Sequence, residues 1–259
     1  MQGSAPLARP APRRMDINAD LGESFGAYRY GNDDELMPLI TSANIACGFH
    51  AGDPASMREA VRSAIEHGVA IGAHVGLPDR LGFGRREIDI SVADAYDYTL
   101  YQLAALDGFV RAAGARMRHV KPHGALYMMA SKSPDLAEGI SAAVRDFDPT
   151  LAMYVLPGSH AEHAAESAGL AVRREFFADR PYEGSDVVMF GWTYDQLGGE
   201  QGTASRVAAM LGNRAFGSVE TICVHSDTDE APELVRAVRS ALRHRQVAVG
   251  LSAPRAEGE

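Results

Sequence analysis

The chain has 259 residues, 46% of them hydrophobic and 23% charged, with a formal net charge of −9. That length suits one barrel of alternating strands and helices, and the acidic balance excludes a general binder of nucleic acid or anionic membranes, which would carry a basic stripe. Two cysteines, Cys47 and Cys223, lie far apart with no CxxC spacing, which argues against a disulfide framework and fits a reducing, cytoplasmic setting.

Residues 1–14 are rich in Pro, Ala and Arg and hold no continuous apolar stretch of the kind a secretory signal needs. They read as a flexible tail, with Met15 as the natural start and residues 15–259 as a single domain. No apolar run approaches the ~20 residues of a membrane helix. Met15–Asn18 reads as the first strand, and Asp33–Ile40 as a helix capped by Asn32 or Asp33. A second strand covers Ser42–Cys47. Asp53-Pro54 then supplies an N-cap and a first-turn proline for a helix that runs to His67 and stops at Gly68. Val69–His74 is the third strand. Ser91–Ala113 is a long helix with Leu100, Leu103, Ala104 and Leu106 on one face, ending at Gly114. Met117–Lys121 is the fourth strand, followed by a helix over Asp135–Phe147. The fifth strand, Leu151–Leu156, leads into a helix over His160–Ala168. Ala171–Phe177 and Glu220–Val224 are the sixth and seventh strands. A helix over Glu230–Arg245 precedes a last apolar run, Val247–Leu251, which closes the barrel or caps it.

Strands separated by helical crossovers imply a parallel sheet. Seven or eight such units in about 240 residues predict an α/β fold closed into a TIM-like barrel. No G-x-G-x-x-G follows the first strand, which weighs against a dinucleotide-binding sheet. Residue types able to do chemistry fall where strands end: Asn18, Asp20 and Glu23; Cys47, His50 and Asp53; His74 and Asp79-Arg80; Lys121 and His123; Asp179-Arg180; His225 and Asp227. In a parallel barrel these ends share one rim, which is where such folds place their active sites. Gly48, Gly52, Gly76 and Gly124 flank the polar residues, and the backbone of these loops, or the helix start at Asp53-Pro54, could bind a carboxylate or phosphate.

Each candidate has a plainer alternative. His50, His74 and His123 with Asp20 suit a divalent metal such as Zn²⁺ with one open position. Without metal, the same histidines would act as acid–base groups or bond one another. Lys121 meets a substrate anion, or an internal partner such as Asp20 or Asp179. Asp179-Arg180 is a substrate clamp or an internal pair. Cys47 reads as a small buried residue more than as a nucleophile, and Cys223 as core. Arg58, Glu59, Arg62 and Glu66 form a solvated helix face, and His160, His163 and His244 lie on the surface.

DINADLGE, SANIACGFHAGD, GVAIGAH with a following PDR, and MRHVKPHGALY resemble the LamB/YcsF family, and FADR with Tyr182 and the Cys223–Asp227 segment extend the match. The resemblance runs from Met15 to about Leu251. It implies a distorted seven-stranded barrel of the glycoside hydrolase and polysaccharide deacetylase type. It also implies ATP-driven opening of 5-oxoproline to glutamate, carried out with partner subunits B and C. Phosphorylating the oxygen of a stable lactam would give an activated imidate that water can attack. For that chemistry Lys121 and Arg180 would meet carboxylate or phosphate, and His50, His74 and His123 would donate to developing charge. Asp20 or Asp53 would be the base, while Asn18, Glu23, Asp179, Arg180, His225 and Asp227 would line the substrate. The chain departs from the family pattern after FADRPYEGSD, where it has VVMFGWTYDQLGGE, and in HSD where HGD is usual. These segments belong to rim loops, so the ring or acyl group accepted is where divergence is expected.

Two other functions compete. One is a stand-alone, metal-dependent deacetylase or amidohydrolase on the same barrel. The other is a non-catalytic regulator, which the many ionisable rim groups disfavour. No P-loop is present, so nucleotide binding does not follow from the residues alone. Small-molecule substrate, no nucleic acid and no membrane are the expected partners, and a homo-oligomer stays open.

Overall fold

The computed structural model describes residues 14–251 except 185 and 229. The tail expected over residues 1–14 therefore lies outside the described residues, save for Arg14, which opens the first strand. In chain order come β1 (Arg14–Leu21), α1 (Asp33–Leu36), a 3-10 turn (Met37–Leu39), β2 (Ser42–Ala46), α2 (Pro54–His67) and β3 (Ala70–Val75). There follow α3 (Val92–Ala112), β4 (Met117–Pro122), α4 (Gly124–Lys132), α5 (Pro134–Phe147), β5 (Ala152–Val155), α6 (His160–Ser167) and β6 (Val172–Phe177). A small hairpin of β7 (Tyr182–Glu183) and β8 (Asp186–Val187) precedes α7 (Gly199–Gly212), β9 (Thr221–Cys223), α8 (Ala231–His244) and β10 (Ala248–Val249).

Strands β1-β2-β3-β4-β5-β6-β9 pair in that order, all parallel, and β9 pairs back to β1 with Asp16 opposite Thr221 and Asn18 opposite Cys223. The result is a closed seven-stranded α/β barrel. The last apolar run is not an eighth stave. β10 pairs only with the first residues of β1, Arg14 with Ala248 and Met15 with Val249, so it caps the strand's entry. Among the described residues no helix is long and apolar enough to cross a membrane.

Local chemistry explains the element boundaries. Asp53 caps α2 by accepting from the backbone N–H of Ala55 and Ser56, and the Ser56 hydroxyl accepts from the Asp53 N–H in return. The expected helix over 33–40 splits, because Pro38 has no N–H to continue it and the chain tightens into a 3-10 turn. Two helices escaped the sequence reading. α4 starts one residue after His123, leaving no linker to announce it, and α7 opens through Gly198 and Gly199, poor helix formers.

Along β1 the side chains alternate. Met15, Ile17, Ala19 and Leu21 join the apolar core that packs against the helices. Asp16, Asn18 and Asp20 bond to other strands across the lumen. The barrel interior is therefore polar. At one level the Asp16 carboxylate accepts from Thr41, Ser42 (2.8 Å), Tyr154 (2.9 Å) and Thr221 (2.7 Å). One level up, Asn18 donates to Glu175 and Thr221, both at 2.8 Å, and Asn44 donates to Asn18 and Asp20, also at 2.8 Å. Asp16, Asn18, Asn44 and Asp20 each find a partner on another strand, which offsets the cost of removing them from water.

Candidate active site

At the C-terminal end of the strands this lattice becomes charged. Lys121, 2% exposed on β4, points its Nζ at Glu175 (3.0 Å), Cys223 Sγ (3.0 Å), Asn18 Oδ1 (3.2 Å) and Asp20 (3.4 Å). Burial alone would neutralise it, but the Asp20, Cys223 and Glu175 groups outweigh burial and hold the ammonium well above its ordinary pKa. For Asp20, burial works upward, and His74 and Lys121 overcome it to keep the carboxyl well below the usual range. Cys223, expected in the core, is fully buried there with Tyr127, Phe177 and Met189, and its Sγ faces Lys121. It lies in the same barrel layer because its strand pairs with Asn18.

Next to Lys121 stand three histidines and a glutamate. His50 and His123 stack with centroids 3.8 Å apart, and His74 meets both rings edge-on. His74 Nδ1 lies 2.9 Å from Lys121 O, and His123 Nε2 lies 2.7 Å from Phe83 O. Carbonyls only accept, so both of those nitrogens carry hydrogen and donate. The remaining nitrogens, His74 Nε2 and His123 Nδ1, then face each other at 2.9 Å as two lone pairs, unless a proton or a metal ion sits between them. Glu23 Oε1 completes the group, 3.2 Å from His50 Nε2 and 3.8 Å from His123 Nδ1. One ligand atom from each of Glu23, His50, His74 and His123 lies within 4.8 Å of the others, so the four could hold a metal ion. The sequence pointed to Asp20 as the carboxylate of this set. The structure puts Glu23 there instead, with Asp20 beside it at 3.3 Å from His74 Nε2. Burial, aided by the Asp20 charge, pushes the Glu23 carboxyl up to about 7. Burial also drives the His50 and His123 imidazoles well below their usual value, with neighbouring histidines adding to it.

On the opposite side of the mouth, Asp179 accepts from Arg180 (3.0 Å) and from the His225 backbone N–H (2.9 Å), with His225 Nδ1 at 3.0 Å. Burial opposes ionisation of Asp179, but Arg180 and His225 prevail and hold its carboxyl far down. Arg180 continues to Asp227 at 3.0 Å, and Arg85 reaches the same Asp227 oxygen at 2.6 Å. A cavity over the strand ends is walled by Lys121, His123, Arg85, Arg180, Met189 and Phe190, among others. Met189 and Phe190 belong to the divergent VVMFGWTYDQLGGE segment, which thus forms part of the cavity wall.

The rim gathers Asn18, Asp20, Glu23, His50, His74, Lys121, His123, Asp179, Arg180, His225 and Asp227, but not Asp53. That carboxylate is bound by the backbone N–H groups of Gly26, Ala55 and Ser56, whose hydrogen bonds lower its pKa, and it lines an outer cleft with Gly26, Arg29 and Arg62. It already fills the helix start that the sequence reading offered to a ligand anion. Asp79 and Arg80 also hold loops: Asp79 pairs with Arg86, while Arg80 stacks on Phe25 and donates to Gly48 O. Glu175 and His119 were missed. Both lie inside strands, at alternating positions with Phe177 and with Lys121 and His123, and that period of two was the available signal. Arg85 was missed because it sits in a loop with no strand to announce it.

Residues 15–256 match the LamB/YcsF family along nearly the whole chain. The chain belongs to this family. The A subunit of the Bacillus cereus 5-oxoprolinase is 43% identical over 247 residues, spanning 91% of this chain and 97% of the relative. A crystal structure of a lactam utilization protein from Thermus thermophilus superposes with a TM-score of 0.82 at 43% identity, covering 92% of this chain and all of that one. A Bacillus cereus polysaccharide deacetylase, 12% identical with a TM-score of 0.52 over 93% of this chain and 92% of its own, shares the fold alone.

Proposed function

We propose that this chain is the 5-oxoproline-binding subunit of an ATP-dependent lactam hydrolase, opening 5-oxoproline to glutamate together with subunits B and C in the cytoplasm. The observation that carries the reading is the full-length likeness to the A subunit of 5-oxoprolinase, 43% identical over 97% of that protein. The free, buried state of Cys47 and Cys223 suits the reducing compartment.

A lactam is an unstrained amide whose ring nitrogen leaves poorly, so transfer of a phosphoryl group from ATP to its oxygen supplies the driving force. In this site Lys121, fixed as a cation, offsets negative charge developing on that oxygen. The three contacts of Asp20 with Asn44, His74 and Lys121 all fall on Oδ1, which leaves Oδ2 to receive the proton of attacking water. Arg180 is held in place on the far wall by its ion pairs with Asp179 and Asp227.

A divalent cation would be held by Glu23, His50, His74 and His123. The contacts within this group, 2.9, 3.2 and 3.8 Å, bring one ligand atom from each side chain close enough for the four to share an ion. The backbone carbonyls that take the outer ring protons of His74 and His123 are the support such ligands need. When bound, the ion would supply Lewis acidity. The same cluster favours a second reading, metal-dependent amide hydrolysis without nucleotide.

One experiment separates the two. The chain is mixed with subunits B and C, and glutamate release from 5-oxoproline is followed with and without ATP. Release that needs ATP and all three subunits is expected. Release by this chain alone, without nucleotide, would replace the proposal with the second reading.

A further inference from the structure

Three basic side chains line the cavity at the mouth: Lys121, Arg180 and Arg85. Two are already engaged. Lys121 has three N–H donors and four acceptors around it within 3.4 Å. Arg180 directs Nε to Met189 O, Nη1 to both the backbone and the carboxylate of Asp179, and Nη2 to Asp227. Arg85 differs. Among the described residues its side chain makes one hydrogen bond, Nη2 to Asp227 at 2.6 Å, and 34% of that side chain is exposed. A guanidinium carries five N–H groups in a rigid fork, so most of this one is available to a ligand.

The root of Arg85 is fixed even though its tip is accessible. Phe83 O accepts from the His123 ring at 2.7 Å, and Gly84 O accepts from the Ala125 N–H at 2.9 Å. Gly124, with φ +50°, lets the two segments meet this closely: a Cβ there would lie 2.7 Å from Gly84 O. The loop carrying Arg85 is thereby seated on the start of α4, beside the histidines. Asp227 loses little by releasing Arg85, because Arg180 still holds it at 3.0 Å.

We infer that Arg85 is the anchor for the substrate's carboxylate, and therefore the residue that makes this site select lactam acids over neutral lactams. The inference rests on the lactam-opening reading. 5-Oxoproline carries one carboxylate, on the ring carbon that flanks the nitrogen on the side away from the lactam carbonyl. A planar carboxylate matches the open fork in bidentate fashion, taking Arg85 from Asp227 by exchange of one anion for another.

The test uses the complex with subunits B and C and ATP, comparing wild type, Arg85→Ala and Arg85→Lys. 5-Oxoproline is the substrate, and 2-pyrrolidinone, the same ring without its carboxylate, is measured as substrate or competitive inhibitor. A charge-assisted contact of this kind predicts that Arg85→Ala raises KM for 5-oxoproline about 10- to 100-fold with little change in kcat. The constant for 2-pyrrolidinone should not move, and lysine should restore part of the loss. Unchanged KM for 5-oxoproline, or an equal loss for both lactams, would show that Arg85 only braces Asp227 and would overturn the inference. If the wild-type complex with ATP fails to open 5-oxoproline at all, the functional reading falls first and takes the inference with it.

Discussion

Lys121→Met tests whether the charged lattice of the lumen holds the barrel together as well as serving the site. Methionine keeps most of the lysine stem and removes the ammonium. Glu175, 1% exposed, and Asp20, 4% exposed, then lose the cation that stands 3.0 and 3.4 Å away. Breaking a buried pair on one side costs about 3–5 kcal/mol, a large part of the roughly 5–15 kcal/mol by which a domain is stable. At about 2–4 °C per kcal/mol for a chain of this size, the melting temperature should fall by roughly 6–20 °C. Urea unfolding and thermal melting at neutral pH measure the loss, and glutamate release by the complex should vanish in parallel. Lys121→Met with Glu175→Gln removes one orphaned charge as well. It should recover at least about 1 kcal/mol of stability over the single variant while staying inactive. A single variant within about 1 kcal/mol of wild type, or a double variant no more stable than the single, would refute the reasoning.

Three further outcomes follow. Asp33 accepts from the Gly22 N–H at 2.8 Å through one oxygen, its other oxygen is buried without a partner, and burial pushes the carboxyl up to about 6. The folded state thus holds this proton more tightly than the unfolded chain, so its stabilisation is complete below about pH 4 and is lost as pH rises through about 6. Asp33→Asn should therefore exceed wild type by up to about 3 kcal/mol at pH 7.5 and match it near pH 4; denaturation midpoints that show no such pH dependence would count against it. Cobalt titrated into the metal-free chain should bind one equivalent with a visible tetrahedral spectrum that His74→Ala or His123→Ala abolishes and Asp20→Asn preserves. No spectrum with all four ligands intact would leave the cluster as a proton-sharing network. Finally, a Cβ on Gly72 would lie 2.1 Å from His119 Nε2, so Gly72→Ala should cost about 1–3 kcal/mol, and His119→Ala in the same chain should recover part of it. Additive losses in chemical denaturation would dispose of that clash.

The barrel and its rim could be read from the sequence because strand ends carry polar residues beside glycines, and helix caps such as Asp53 and Ser91 mark where crossovers begin. The interior was harder. Asp16, Asn44, His119, Tyr154 and Glu175 look like interruptions of apolar strands until the closed sheet shows which side chains share a lumen. Partners such as Asn18 and Glu175, 157 positions apart, cannot be matched by local pattern. Asp53 illustrates the converse error. Its position after a strand suggested chemistry, while its capping-box spacing to Ser56 already gave its structural use. Whether Asp20 or Glu23 joins the histidines depends on how one short loop turns after β1, which residue spacing alone does not determine.

The wiring of the lumen also bears on how the chain is made. Asp16 and Asn18 are satisfied by Thr221, which comes 205 and 203 positions later. At a synthesis rate of about 5–20 residues per second, the first strand waits roughly 10–40 s for its final partner to leave the ribosome. Until β9 emerges the barrel cannot close, so the lattice around Asp16 and Asn18 stays incomplete for most of the time the chain takes to be made.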